Sequence, residues 1–204
     1  MKTKIAVFVS GGGTNLQALI DAAAQNKIPD GEIALVLSSR ADAYALKRAE
    51  TANIPTAVVS RKETRDAKDF EEKILKELDA HGIEMIVLAG FMSILSADFT
   101  SRFKDRILNV HPSLIPSFCG AGFYGLRVHE AALAYGVKVT GATVHYVNEI
   151  PDGGKILLQK AVEICEGDTP EILQKRVMEQ AEWILLPKAT AMVAKRIRDE
   201  KTEK

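Results

Sequence analysis

The sequence predicts a doubly wound α/β fold, a mostly parallel sheet with helices on both faces. Three observations carry this expectation. Short apolar, β-branched runs take turns with longer amphipathic stretches from the start of the chain. That alternation implies crossover connections, which link parallel strands and cover a sheet with helices. The first run also passes through a glycine-rich turn straight into a helix-like stretch.

The elements follow in order. Residues 5–9 read as a buried strand and 16–24 as a helix; 33–37 and 44–52 repeat the pair. Residues 57–59, 70–78, 83–89 and 107–110 continue the series. Beyond His111 the texture changes, because Pro112, Pro116, Gly120, Gly122 and Gly125 crowd a segment with little apolar periodicity, which reads as a long functional loop. A short helix near 128–134 precedes two alternating, half-exposed strands, 139–147 and 155–162, that flank the turn-rich segment 148–154. A last helix is expected to start at Thr169-Pro170-Glu171, a capping hydroxyl before a first-position proline, and to be kinked or interrupted at Pro187.

Composition narrows the function. The 204 residues suit one domain, and 47% hydrophobic with 26% charged residues is the balance of an ordinary globular protein. Lys plus Arg equals Asp plus Glu, 27 each, so the field that would hold a polyanion is missing and no nucleic-acid partner is expected. Cys119 and Cys165 have no short spacing to each other or to a histidine, so no metal is expected and a reducing compartment fits. The apolar run at the N-terminus is too short for a signal core or a membrane span. The resulting expectation is a cytoplasmic protein, without a membrane partner, that acts on small molecules.

Two segments carry chemistry. Ser10-Gly11-Gly12-Gly13-Thr14-Asn15 joins the first strand to the first helix, where glycines let the backbone approach a ligand and free amides face an anion. A single phosphate suits it. The alternatives are a plain tight turn capped by Thr14 or Asn15, or a dinucleotide site. The latter is weakened because the second strand ends in Ser38-Ser39-Arg40 and not in an acidic residue. In the second segment, Asn109 and His111 sit two apart where a strand runs into a loop, so their side chains share a face. An amide donor and an imidazolium suit an acyl- or formyl-transfer oxyanion, with Asp152 the candidate to hold the imidazole and raise its proton affinity. A turn-capping asparagine, a strand-end histidine and an ordinary turn aspartate are the bland alternative. His145, on an alternating strand, receives no catalytic role.

With these motifs in hand, the chain resembles the glycinamide ribonucleotide formyltransferase family over nearly all its length. The resemblance rests on Val9–Gln17, Leu88-Ala89-Gly90-Phe91-Met92, Asn109-Val110-His111-Pro112-Ser113-Leu114-Ile115-Pro116, Thr140-Gly141-Ala142-Thr143-Val144-His145 and Asp152-Gly153-Gly154. It implies a Rossmann-like fold with a phosphate-binding half, 1–108, and a folate and catalytic half, 109–204. It implies 10-formyltetrahydrofolate as formyl donor, 5'-phosphoribosylglycinamide as acceptor, a role in purine biosynthesis, no metal, and a monomer or weak homodimer. Matched by position, the catalytic residues are Asn109, His111 and Asp152; the ribonucleotide falls on Gly13, Thr14, Asn15 and Glu182. Folate falls on Arg65, Met92, Ser93, Ile94, Leu95, Asn109, Asn148 and Asp152. Three departures stand out: Ser93 where many relatives carry arginine, a longer 118–125 segment, and one extra residue near Glu182, with Trp183 where histidine is common. Rival functions are hydrolysis of the formyl donor, another amine acceptor, or a nucleotide-binding redox or regulatory module.

Overall fold

The structure, a computed structural model, describes residues 1–202; the last two residues of the expected domain lie outside it. Seven strands form one sheet in the order β3-β2-β1-β4-β5-β6-β7. They are β1 (Thr3–Val9), β2 (Gly31–Ser38), β3 (Thr56–Val58), β4 (Met85–Leu88), β5 (Ile107–His111), β6 (Val139–Tyr146) and β7 (Ile156–Glu163). The first five run parallel, and β6 and β7 complete the sheet antiparallel. The helices are α1 (Thr14–Ala24), α2 (Tyr44–Thr51), α3 (Ala67–His81), α4 (Ala97–Arg102), α5 (Leu126–Tyr135), α6 (Pro170–Val177) and α7 (Trp183–Thr202).

Why β1 is apolar from Ile5 to Val9 is clear from its two faces. Ile5, Val7 and Val9 pack with Leu16 and Leu19 of α1 and Val193 and Ile197 of α7, whereas Ala6 and Phe8 pack with Phe70 and Ile74 of α3 and Phe99 of α4. A strand covered by helices on both sides has no position for a polar side chain. The edge strand β7 shows the opposite pattern, with only Val162 fully buried among exposed or half-exposed neighbours.

Strand order reverses around β1, which lies between β2 and β4. In an open parallel sheet, loops leaving the carboxyl ends on either side of such a point diverge and leave a crevice. The loops after β1, β4 and β5 all open there, so the glycine turn, the segment from Gly90 to Leu95 and the Asn109 to His111 strand end meet at one edge.

Several local expectations change. The short α4 was not anticipated; Ser96 caps it by accepting from the amide of Phe99 at 3.1 Å. The strand expected over 83–89 is shorter, because the amide of Ile83 closes α3 through the carbonyl of Leu78. Thr169 caps α6 as expected, and Pro170 occupies its first turn. Pro187, however, lies inside an unbroken α7; the irregularity sits one turn earlier, in a π turn over Met178–Glu182. A proline ring crowds the carbonyl four residues before it, here that of Trp183, and the widened turn ends just ahead of that residue. A π turn holds one more residue than an α turn, and Glu182 is its last residue. Among the described residues, no helix is long and apolar enough to cross a membrane.

Candidate active site

The antiparallel pairing of β5 with β6 sets Asn109 opposite His145 and His111 opposite Thr143. Asn109 Nδ2 donates to His145 Nε2 at 3.1 Å and, over a longer 3.4 Å, to Asp152 Oδ1. His145 Nδ1 bonds the carbonyl of Tyr146 at 2.8 Å, so Nδ1 carries the proton and Nε2 is free to accept from the amide. His145 is therefore part of the cluster, with Nε2 3.5 Å from Asp152 Oδ1. From the sequence alone His145 reads as pocket lining or structural and receives no catalytic role, because only the β5–β6 register, invisible in a single strand, places it beside Asn109.

Asp152 reaches this edge from the turn between β6 and β7. Its backbone is left-handed, φ 56°, a conformation that aspartate tolerates. The turn closes through Asn148 Oδ1, which accepts from the amide of Ile150, and through the amide of Gly153, which donates to the carbonyl of Ile150. Gly154 is needed for close approach, since a Cβ there would stand 1.7 Å from the carbonyl oxygen of Tyr146.

The loop after β5 closes over the pair. Phe118, also left-handed at φ 49°, directs its carbonyl to His111 Nε2 at 2.8 Å, and the amide of Gly120 donates to Asp152 Oδ2 at 2.8 Å. For a bulky residue such a conformation costs about 1–2 kcal/mol. The ring of Phe118 is held edge-on by Phe123 and Tyr135, packing that opposes the cost. Deeper down, Thr143 Oγ1 donates to the carbonyl of Ser113 and accepts from the amide of Ile115, fixing the root of the loop.

The electrostatics follow from this packing. His111 is buried, and burial holds its imidazole below the ordinary value of 6.5; the Phe118 carbonyl and the Asp152 charge pull the other way without prevailing. Asp152 thus acts in the direction expected of it, raising the proton affinity of the imidazole, but burial outweighs it. Yet Nδ1 lies 3.4 Å from Asp152 Oδ2 while Nε2 faces a carbonyl, so both ring nitrogens face acceptors and only the imidazolium satisfies both. For Asp152, burial pushes the carboxyl up, but the nearby His145 ring, the Gly120 amide and the His111 ring together leave it below its usual range.

An apolar slot opens beside the cluster between two loops. Phe91, Ser93, Ile94 and Leu95 line one side, and Asn148, Ile150 and Pro151 the other, with Asn109, His145 and Asp152 at its floor. Ile94 and Ile150 remain largely exposed at its mouth. Met92 does not line the slot; its side chain is exposed and its amide donates to Ser10 Oγ at 3.0 Å. Nor does Arg65, which extends into solvent and pairs with Asp69 at 3.4 Å.

At the other side of the same edge, Gly13 caps α1 with φ 73°, and a Cβ there would stand 2.6 Å from that of Ala45. Thr14 and Asn15 open the helix, so the alternative in which either side chain caps it is not what forms; the cap position is Gly13, with no side-chain capping bond. Asn15 Nδ2 donates to Glu182 Oε2 at 2.7 Å, which joins residues 167 apart in sequence. Glu182 is buried, and desolvation raises its carboxyl to about 6 against the opposing pull of Asn15. Asn15 Oδ1 is buried without a partner. Two acceptors with unused capacity thus stand together next to the free amides. A cavity of 720 Å³ lies close by between α1 and α7, lined by Ala18, Trp183, Pro187 and Ala191, but it holds none of the Asn109 to Asp152 cluster. Among the described residues no group of three His, Cys, Asp or Glu side chains is arranged to hold a metal ion.

Similarity to known proteins places the chain in a family. Residues 3–190 match a family described as formyl transferase. The phosphoribosylglycinamide formyltransferase of Haemophilus influenzae is 45% identical over 87% of this chain and 81% of its own length. The trifunctional purine biosynthetic protein adenosine-3 of Gallus gallus is 44% identical over 95% of the chain; the chain spans 18% of that relative's length. Among solved structures, glycinamide ribonucleotide transformylase 1 from Symbiobacterium toebii aligns with a TM-score of 0.88 at 39% identity, covering 95% of this chain and 88% of that one.

Two outcomes are expected of this site. In an NMR titration the His111 ring should have its midpoint below 6.5, and in Asp152→Asn lower still, because a charge that favours the imidazolium is gone; an unmoved midpoint would uncouple the two. Glu182→Gln should stabilise the fold at about pH 8 by on the order of 2 kcal/mol. A carboxyl raised from 4.5 to about 6 on folding costs stability only once ionised, so the gain should fade as pH falls through that window and be absent below it. Denaturant unfolding at the two extremes checks it, and an equal gain at both would contradict it.

Proposed function

Given that the chain belongs to the formyl transferase family, we propose that it transfers the formyl group of 10-formyltetrahydrofolate to the amine of 5'-phosphoribosylglycinamide, a step of purine biosynthesis. One observation carries the reading: Asn109, His145 and Asp152 form the floor of an apolar slot, His111 stands behind them against Asp152, and the cluster shares the sheet edge with a phosphate-sized turn.

The slot suits a flat, largely apolar donor head with polar edges, held between 91–95 and 148–152. In this reading the acceptor's phosphate takes the amides at the start of α1, and its ribose hydroxyls donate to Asn15 Oδ1 and to the Glu182 carboxylate. The pairing of Asn15 with a buried acid favours a polyol phosphate acceptor over water. It has no use in a simple hydrolase.

Asn109 supplies the donor for the developing oxyanion. Its 3.4 Å contact to Asp152 is long for a hydrogen bond, so that N–H is the one a substrate oxygen can recruit, while His145 fixes the amide plane. As the acceptor nitrogen bonds to the formyl carbon, His111 takes up the nitrogen's proton, and Asp152 and the Phe118 carbonyl bear the resulting imidazolium. The intermediate collapses when the bond from formyl carbon to folate nitrogen breaks and the proton passes to that nitrogen. The products are the formamide of the acceptor and tetrahydrofolate.

Folate absorbance recorded with and without the ribonucleotide tests the reading. A change that needs the ribonucleotide is expected, and His111→Ala should slow turnover by about 10²–10⁴-fold with donor affinity kept within an order of magnitude. Equal turnover without the acceptor would make hydrolysis the activity, and normal turnover in the variant would remove His111 from the chemistry.

A further inference from the structure

The glycine turn after β1 is gripped from behind by α2. The amide of Ala45 donates to the carbonyl of Gly11 at 3.0 Å, and Arg48 Nε donates to the carbonyl of Gly12 at 2.8 Å. Arg48 Nη1 also donates to Gln17 Oε1 at 3.1 Å, in the first turn of α1, and its guanidinium lies over the Tyr44 ring, 5.1 Å from the centroid.

A trans peptide points its carbonyl and its N–H to opposite sides. Holding the Gly11 and Gly12 carbonyls toward α2 therefore turns the amides of Gly12 and Gly13 away from it, toward the open side where α1 begins. Side-chain packing does not fix the first two of these residues: the space where a Cβ would stand at Gly11 or Gly12 has no neighbour within 4 Å, and glycine itself accepts either orientation at little cost. Peptide orientation in this turn is thus set by two donors on α2, one of them a side chain.

We propose that Arg48 is a positioning residue for the phosphate of the acceptor, acting through the Gly12 carbonyl and Gln17 to preset the amides of the turn. The inference rests on the phosphate reading of this turn given above and adds the side chain that sets its affinity. It requires a fork as well as a charge: Nε and Nη1 hold two partners in fixed directions, whereas a lysine ammonium at this position offers one point. Arg48 is half-buried on the outer side of α2, away from the core, so its replacement leaves the sheet packing intact.

The test compares the acceptor with its 5'-dephosphorylated form in the wild-type enzyme, Arg48→Met and Arg48→Lys, and reads the ratio of kcat/KM for the two acceptors. Arg48→Met should cut this phosphate preference about tenfold, the loss of one oriented hydrogen bond to a preset site, mainly through KM of the phosphorylated acceptor. Arg48→Lys should recover only part of it. A preference unchanged in Arg48→Met, an equal loss on both acceptors with a lowered Tm, or full recovery in Arg48→Lys would each overturn the positioning role. A wild-type enzyme that does not distinguish the two acceptors would instead overturn the phosphate reading, and the proposal with it.

Discussion

The carboxylate of Asp152 is the constraint on which the site depends. It is a largely buried charge at a sheet edge, and it is tolerable there because donors converge on it, the Gly120 amide, the His111 ring and, at longer range, Asn109, with the His145 ring alongside. These groups arrive on three segments, Asn109 and His111 sharing β5. The 118–120 loop, β5, β6 and the turn before β7 are thus tied at one point, and the groups suited to proton transfer are arranged by the need to satisfy one charge.

Such an arrangement is held under tension. Phe118 and Asp152 both sit at positive φ, His111 is buried against its preference for charge, and Glu182 is ionised at a cost. None of these serves the fold, which is secured by the two apolar layers around β1. Strain and desolvation are concentrated at the carboxyl edge, where a reacting group has to be met by dipoles already in place.

Much of the fold was legible because periodicity and burial report on the same thing. The β1 strand had to be apolar from Ile5 to Val9, and the turn that follows had to end in glycine because Gly13 abuts Ala45. What escaped was set by partners distant in sequence. Six residues of α4 are too few to show a period, the length of β4 was settled by the C-terminal closure of α3, and the effect of Pro187 was transferred to a π turn upstream. At the site, Asn109 and His111 were visible as a pair on one strand face. Their link to Asp152 was an inference from chemistry, and His145 was given no catalytic role because its place depends on strand register. Arg65 and Met92 were placed with the donor pocket by resemblance alone, and the structure brings neither side chain into the slot.

A crystal structure with the acceptor ribonucleotide and an unreactive analogue of the formyl donor tests the account most directly. The phosphate should lie on the amides of Gly12 to Thr14, and the carbon standing for the formyl group should lie between Asn109 Nδ2 and His111, with its oxygen in place of the long Asn109 contact to Asp152. A phosphate bound elsewhere, or a formyl-equivalent carbon out of reach of both Asn109 and His111, would contradict it.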